Sequence, residues 1–185
     1  MTQPNQTFLV WVDLEMTGLD PDTDEILEIA VVITDAQLNA VAHMTPLVIK
    51  QDPSRFAKMD HWNQEHHTKS GLWARALEST TTLEEAQSRV LGFMKQYCRP
   101  KESPLCGNTV WQDRRFLIKH MKEVDTYLHY RIVDVSTIKE LAKLWYPELG
   151  KQFTKKNAHR ALDDIFESIA ELKFYRERLF PRQNS

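Results

Sequence analysis

The sequence predicts an α/β fold: a mixed sheet, built from a three-stranded meander plus shorter strands, flanked by helices. Three observations predict it. Phe8 to Val12, Ile26 to Thr34 and Ala40 to Ile49 are apolar or β-branched runs joined by short connections. Further short apolar runs, Leu105 to Val110 and Arg131 to Val135, alternate with helical patterns. A last long segment, from about His159 to Leu179, carries Leu162, Ile165, Phe166, Ile169 and Leu172 on one helical face.

In chain order, Phe8 to Val12 is an apolar run that ends in acidic residues, as a buried strand ending at a cleft would. Asp20-Pro21-Asp22 is turn chemistry between the first two strands. Residues 54–76 read as short helical pieces carrying His61, Trp62, His66, His67 and Trp73. Thr82-x-x-Glu85 is a capping box, and it opens a helix with Leu83, Ala86, Val90, Phe93, Met94 and Tyr97 at three- and four-residue steps. Pro100 and Pro104 bracket its exit. Phe116, Leu117, His120 and Met121 predict a helix from about Asp113 to Glu123. Ser136 can cap a helix that runs to Trp145 and is stopped by Pro147.

Composition bounds the function. The chain has 185 residues, 42% of them hydrophobic, enough for one substantial core but not for two large domains. We expect a single domain over residues 1–185, with its core at about 8–179 and short polar tails. The formal charge of −2 argues against a protein that grips long nucleic acid mainly by charge. Cys98 and Cys106 form neither a disulfide framework nor a metal motif, which fits a reducing compartment. The stretch Met1 to Thr7 is polar without Lys or Arg, and no apolar run is long enough to span a bilayer. The expectation is a cytoplasmic protein.

The informative residues are acidic. Asp13 and Glu15, at i and i+2 of a strand, point to one side, with Cα atoms roughly 6.6 Å apart. Asp113 follows another strand, and Asp163-Asp164 lie early in the last helix. Carboxylates gathered from distant segments repel one another unless cations sit between them. Hard divalent cations take oxygen ligands, and a pair of them about 3.5–4 Å apart can clamp both oxygens of a phosphodiester displacement. Acids at strand ends and helix starts are also ordinary turn and cap residues, so spacing alone leaves both readings open.

The full strings go further. Asp13-Leu14-Glu15-Met16-Thr17-Gly18-Leu19-Asp20 resembles the first motif of the DEDDh exonuclease family. Gly107-Asn108-Thr109-Val110-Trp111-Gln112-Asp113-Arg114 resembles the second, and His159-Arg160-Ala161-Leu162-Asp163-Asp164 the third. Order, separations and total size match, from Phe8 to about Leu179, and the likeness is greatest to members that degrade very short RNA from its 3′ end. The resemblance implies an RNase H-like sheet and 3′-to-5′ exoribonuclease activity on short oligoribonucleotides, including linear dinucleotides. It also implies two divalent cations, Mg²⁺ or Mn²⁺, held by Asp13, Glu15, Asp113 and Asp164, with His159 as general base. The helix pattern does not choose between Asp163 and Asp164; the family spacing selects Asp164. Leu19, Trp62 and His67 resemble the groups that wedge terminal bases. Thr109, Arg131 and Ser136 resemble those that hold a 5′ phosphate. Tyr130 resembles a residue that reaches the other subunit's active site, which implies a homodimer with Tyr130 and Arg131 crossing to the partner. Thr109 stands where Ser is frequent in the family, and Trp111 is unusual at its position; it either narrows the site or packs at the dimer contact. Three other readings stay open: a DNA-trimming exonuclease, a catalytically silent binding module, and a zinc-binding protein built on His61, His66 and His67.

Overall fold

A computed structural model describes residues 7–150, 152–153 and 160–180. The expected base His159, and Lys155-Lys156 before it, lie outside the described residues. Strands β1 (Phe8–Met16), β2 (Ile26–Asp35), β3 (Ala40–His43), β4 (Leu47–Val48), β5 (Pro104–Gly107) and β6 (His129–Asp134) form one mixed sheet. Its order is β3-β2-β1-β5-β6, with β4 also pairing with β2. The β1–β2 and β2–β3 pairs are antiparallel, which makes the predicted meander, and β5 and β6 extend the sheet in parallel. Parallel neighbours require crossovers, and helices supply them.

The period-2 alternation of β1 sorts its side chains between two layers. Val10, Val12 and Leu14 enter one core with Ile29, Val31 and Ile33 of β2, under helices α3 (Leu83–Met94), α4 (Trp111–His120) and α5 (Lys122–Tyr127). Trp11 enters the other with Ala30, Val32 and Cys106, under α6 (Val135–Trp145) and α8 (Ala161–Leu179). Asp13 and Glu15 continue the parity of Trp11. The strand that buries Trp11 beneath α8 therefore aims both acids at the start of that helix.

Several boundaries differ from expectation for local reasons. The third run splits into β3 and β4, because Pro46 between them has no N–H for a ladder. The strand expected to reach Val110 ends at Gly107, since Thr109 adopts φ +53° and Val110 is helical. The helix expected at 113–123 begins at Trp111 and breaks at Met121 (φ −131°, ψ 55°), and α5 follows. Asp134, rather than Ser136, caps α6: its side chain accepts from the Ser136 N–H. Pro147 starts the short α7 (Pro147–Gly150), as Pro in a first turn can. The Thr82 cap is as read, with its hydroxyl accepting from the Glu85 N–H at 3.2 Å. A 3₁₀ turn (Pro53–Lys58), α1 (His61–Lys69) and α2 (Leu72–Glu78) make up the expected helical pieces. Among the described residues no helix is long and apolar enough to cross a membrane.

Candidate active site

Ligand oxygens of Asp13, Glu15 and Asp164 lie within 4.8 Å of one another. The first two come from the end of β1, and Asp164 from the first turn of α8. Asp163, its neighbour, is exposed and outside this group. Asp113, buried in the first turn of α4, reaches the same strand end, where its Oδ1 accepts from the Leu14 N–H at 3.0 Å. Leu14 lies between Asp13 and Glu15, so the fourth carboxylate is tied to the backbone that presents the first two.

The charges in this cleft are uncomfortable as they stand. Burial pushes the Glu15 carboxyl up to about 8, and the nearby Glu28, Asp164 and Asp113 add to it. Burial also raises Asp113 to about 7, against the stabilising Leu14 hydrogen bond. Glu28 sits directly across from Glu15 in the β1–β2 register, and Arg75 at 3.4 Å balances it. Clustered oxygen donors, partly desolvated and mutually repelling, are the chemistry that a hard divalent cation relieves. The donor set fits such ions.

The expected base-wedging residues occupy the same end of the sheet. His67 is buried on α1, and its Nε2 stands 2.9 Å from the Met16 carbonyl. A carbonyl only accepts, so Nε2 carries a proton, and burial depresses the ring's pKa, disfavouring its cationic form. This bond docks α1 beside the loop that carries Leu19. On α1, Trp62 is 64% exposed and stacks on His66 at 4.7 Å with an interplanar angle of 5°. Leu19 is 69% exposed, and its carbonyl accepts from Gln112 Nε2 at 2.6 Å and Arg115 Nη1 at 3.2 Å. Both apolar side chains are thus open to solvent, on a backbone anchored by neighbours in the case of Leu19. Glu15, His66 and His67 also offer ligand atoms within 4.8 Å, whereas His61 is exposed and stands apart from that group.

Thr109 and Ser136 come together beyond the ends of β5 and β6. Their hydroxyls lie 3.1 Å apart, and Asp134 Oδ1 accepts from both backbone N–H groups at 2.9 Å. Tyr130 and Arg131 lie on β6, the outer strand of the sheet. Tyr130 is 72% exposed, and the Arg131 guanidinium lies 5.2 Å from its ring centre. Trp111 is exposed at the start of α4, with Arg115 5.9 Å from its ring. Along α4, Arg114 pairs with Asp125 and donates to the carbonyls of His129 and Tyr130, and Lys119 pairs with Asp22.

Sequence reasoning missed Glu28, Asn108, Asp134 and Glu171 as parts of this region. A lone acid inside the buried run ILEIAVVIT was a signal for Glu28.

Comparison with known proteins follows the same lines. Residues 10–172 match the exonuclease family. The chain is 54% identical over 172 residues to an oligoribonuclease of Photobacterium profundum, covering 93% of this chain and 95% of the relative. It is 51% identical over 173 residues to the oligoribonuclease of an Escherichia coli strain, covering 94% and 96%. Among solved structures, exonuclease I from Methylocaldum szegediense aligns with a TM-score of 0.62 at 20% identity over 93% of this chain. E. coli exonuclease I with a 5cy-dT13 oligonucleotide aligns with a TM-score of 0.66 at 15% identity over 94%. The chain spans 41% of the length of each of these two structures, and the likeness is one of fold.

Proposed function

Because this chain belongs to the exonuclease family and has oligoribonucleases as its near-full-length relatives, we propose that it is a 3′-to-5′ exoribonuclease acting on short oligoribonucleotides, linear dinucleotides above all. The observation that carries the reading is the convergence of Asp13, Glu15 and Asp164, with Asp113 tied to the same strand end. These four residues would hold two divalent cations, Mg²⁺ or Mn²⁺. When bound, such ions lower the pKa of a water and offset charge on attacking and leaving oxygens.

The chain's own residues do the rest. His159 takes the proton from the attacking water, a task suited to a group with a pKa near ~6.5. The water displaces the 3′ oxygen and releases a 5′-mononucleotide. Leu19, Trp62 and His67 hold the terminal bases, and stacking on an aromatic face accepts any base. Thr109, Ser136 and an Arg131 grip the 5′ phosphate of a dinucleotide. A guanidinium fork suits a terminal dianion better than an internal diester, so the shortest substrates are favoured. Tyr130 and Arg131, exposed on the outer strand, are well placed to serve a second copy of the chain. The working form is accordingly a homodimer in the cytoplasm, each chain one catalytic domain.

Turnover of RNA from two to about twenty residues in Mg²⁺ or Mn²⁺ tests this. The reading expects a steep preference for two residues; faster shortening of a 20-nucleotide DNA than of a dinucleotide RNA would replace it with a DNA-trimming one.

A further inference from the structure

Helix α8 buries a carboxylate where an apolar side chain would pack. Glu171 is fully buried, one turn before the buried Tyr175 of the same helix. Its charge is balanced by Lys139 Nζ at 3.5 Å, and the Tyr175 hydroxyl donates to Oε1 at 3.4 Å. A buried ion pair seldom stabilises a fold more than well-packed apolar groups do, so stability is a poor reason for it.

Its other oxygen points to one. Asn108 Nδ2 donates to Glu171 Oε2 at 3.0 Å and lies 3.4 Å from Ser136 Oγ. The carboxylate fixes the amide's orientation, because the reverse would set Oδ1 against a negative charge. That orientation persists although Asn108 Oδ1 is buried without a hydrogen-bond partner. The next residue, Thr109, has φ +53°, a left-handed conformation that a β-branched residue rarely adopts. Such strain survives where neighbours over-determine it. Here the Thr109 N–H donates to Asp134 Oδ1 and to Ser136 Oγ, each at 2.9 Å. The outcome is two adjacent hydroxyls at the ends of β5 and β6. Lys139, three residues after Ser136 on α6, shares its helical face.

We infer that Glu171, acting through Asn108, is a positioning residue that sets the Thr109–Ser136 pair for recognition of a terminal phosphate on the substrate. This rests on the reading that Thr109 and Ser136 grip that phosphate. Glu171 touches no substrate; it determines how strongly a 5′-phosphorylated dinucleotide is preferred over the same dinucleotide without the phosphate.

The test is that preference, measured as the ratio of kcat/KM for a 5′-phosphorylated and a 5′-hydroxyl dinucleotide, in the full-length protein. Four variants accompany the wild type: Glu171→Leu, Glu171→Gln, Asn108→Ala and Ser136→Ala. Glu171→Leu keeps volume and removes the acceptor, and the ratio should fall roughly ten- to a hundredfold, the effect of losing one or two charge-assisted hydrogen bonds. The loss should appear in KM for the phosphorylated substrate rather than in kcat. Asn108→Ala should reproduce it from the other end of the link. Glu171→Gln retains an oxygen to accept from Asn108 and should recover most of the preference, which a purely structural role would not explain. If Ser136→Ala collapses the ratio while Glu171→Leu and Asn108→Ala leave it intact, the positioning role is wrong and the phosphate grip stands. If the wild type shows no preference and Ser136→Ala changes nothing, both fall.

Discussion

Burial, with repulsion from nearby carboxylates (Glu28, Asp164 and Asp113 on Glu15, Asp134 on Asp113), raises Glu15 to about 8 and Asp113 to about 7, well above the ~4 of a free carboxylate. Between those values the native protein holds more protons than the unfolded chain, so stability falls as pH rises. The metal-free protein in EDTA should therefore melt at a lower temperature at pH 8 than at pH 5.5. Saturating Mg²⁺ should shrink or reverse that slope, because a cation binds the ionised carboxylates. Metal-free melts that are flat or rising over that interval would remove the electrostatic premise. His159→Ala should keep dinucleotide binding and lose about 10²–10⁴-fold in kcat, the usual worth of a general base; an unchanged kcat would remove His159 from the chemistry. At this scale Asp13, Glu15 and Asp164, which converge, stood out in the sequence only through the family-like strings around them, since spacing alone leaves a turn or cap reading open. Glu28, Asn108 and Glu171 were not, because their importance lies in partners 13 to 63 positions away.

Two devices at the scale of elements fix the Leu19 loop and α1 beside the end of β1. A Cβ at Gly18 would stand 2.5 Å from Asp24 Oδ2, and Asp24 closes the Leu19 loop by accepting from the Thr17 hydroxyl and the Asp20 N–H at 3.0 Å. The His67 bond to Met16 fastens α1 alongside. Trp62→Ala should raise KM for dinucleotides by roughly ten- to a hundredfold, since stacking is worth about 1–3 kcal/mol per base. It should leave the melting temperature nearly unchanged, because the indole is mostly exposed; a KM equal to wild type would place the bases elsewhere. The strands and long helices could be read from periodicity because burial on two faces leaves continuous apolar runs, as in β2. Ends were harder. The cap of α6 depends on which of Asp134 and Ser136 reaches a free N–H, and the end of β5 depends on a left-handed Thr109. The first is a local choice between two neighbouring capping residues, and the second rests on the bonds from the Thr109 N–H to Asp134 and Ser136 in another segment.

The described residues form one sheet with a helical layer on each face, and α8, the helix that covers Trp11, also delivers Asp164 to β1. The carboxylate cluster is thereby coupled to tertiary packing. The outer strand β6 leaves Tyr130 exposed, and the dimer reading makes a distinct prediction for it. Tyr130→Ala and Asp13→Asn proteins, each weakly active alone, should regain activity when mixed into hybrid dimers, because one site of each hybrid is then complete. A confirmed hybrid without recovery would contradict sharing of the site between copies. The most direct test of the account is the stoichiometry of Mn²⁺ bound to the purified protein, wild type against Asp164→Asn and Asp163→Asn. The account predicts two ions per chain for the wild type and for Asp163→Asn, and fewer for Asp164→Asn. Full occupancy in Asp164→Asn, or no ions in the wild type, would contradict it.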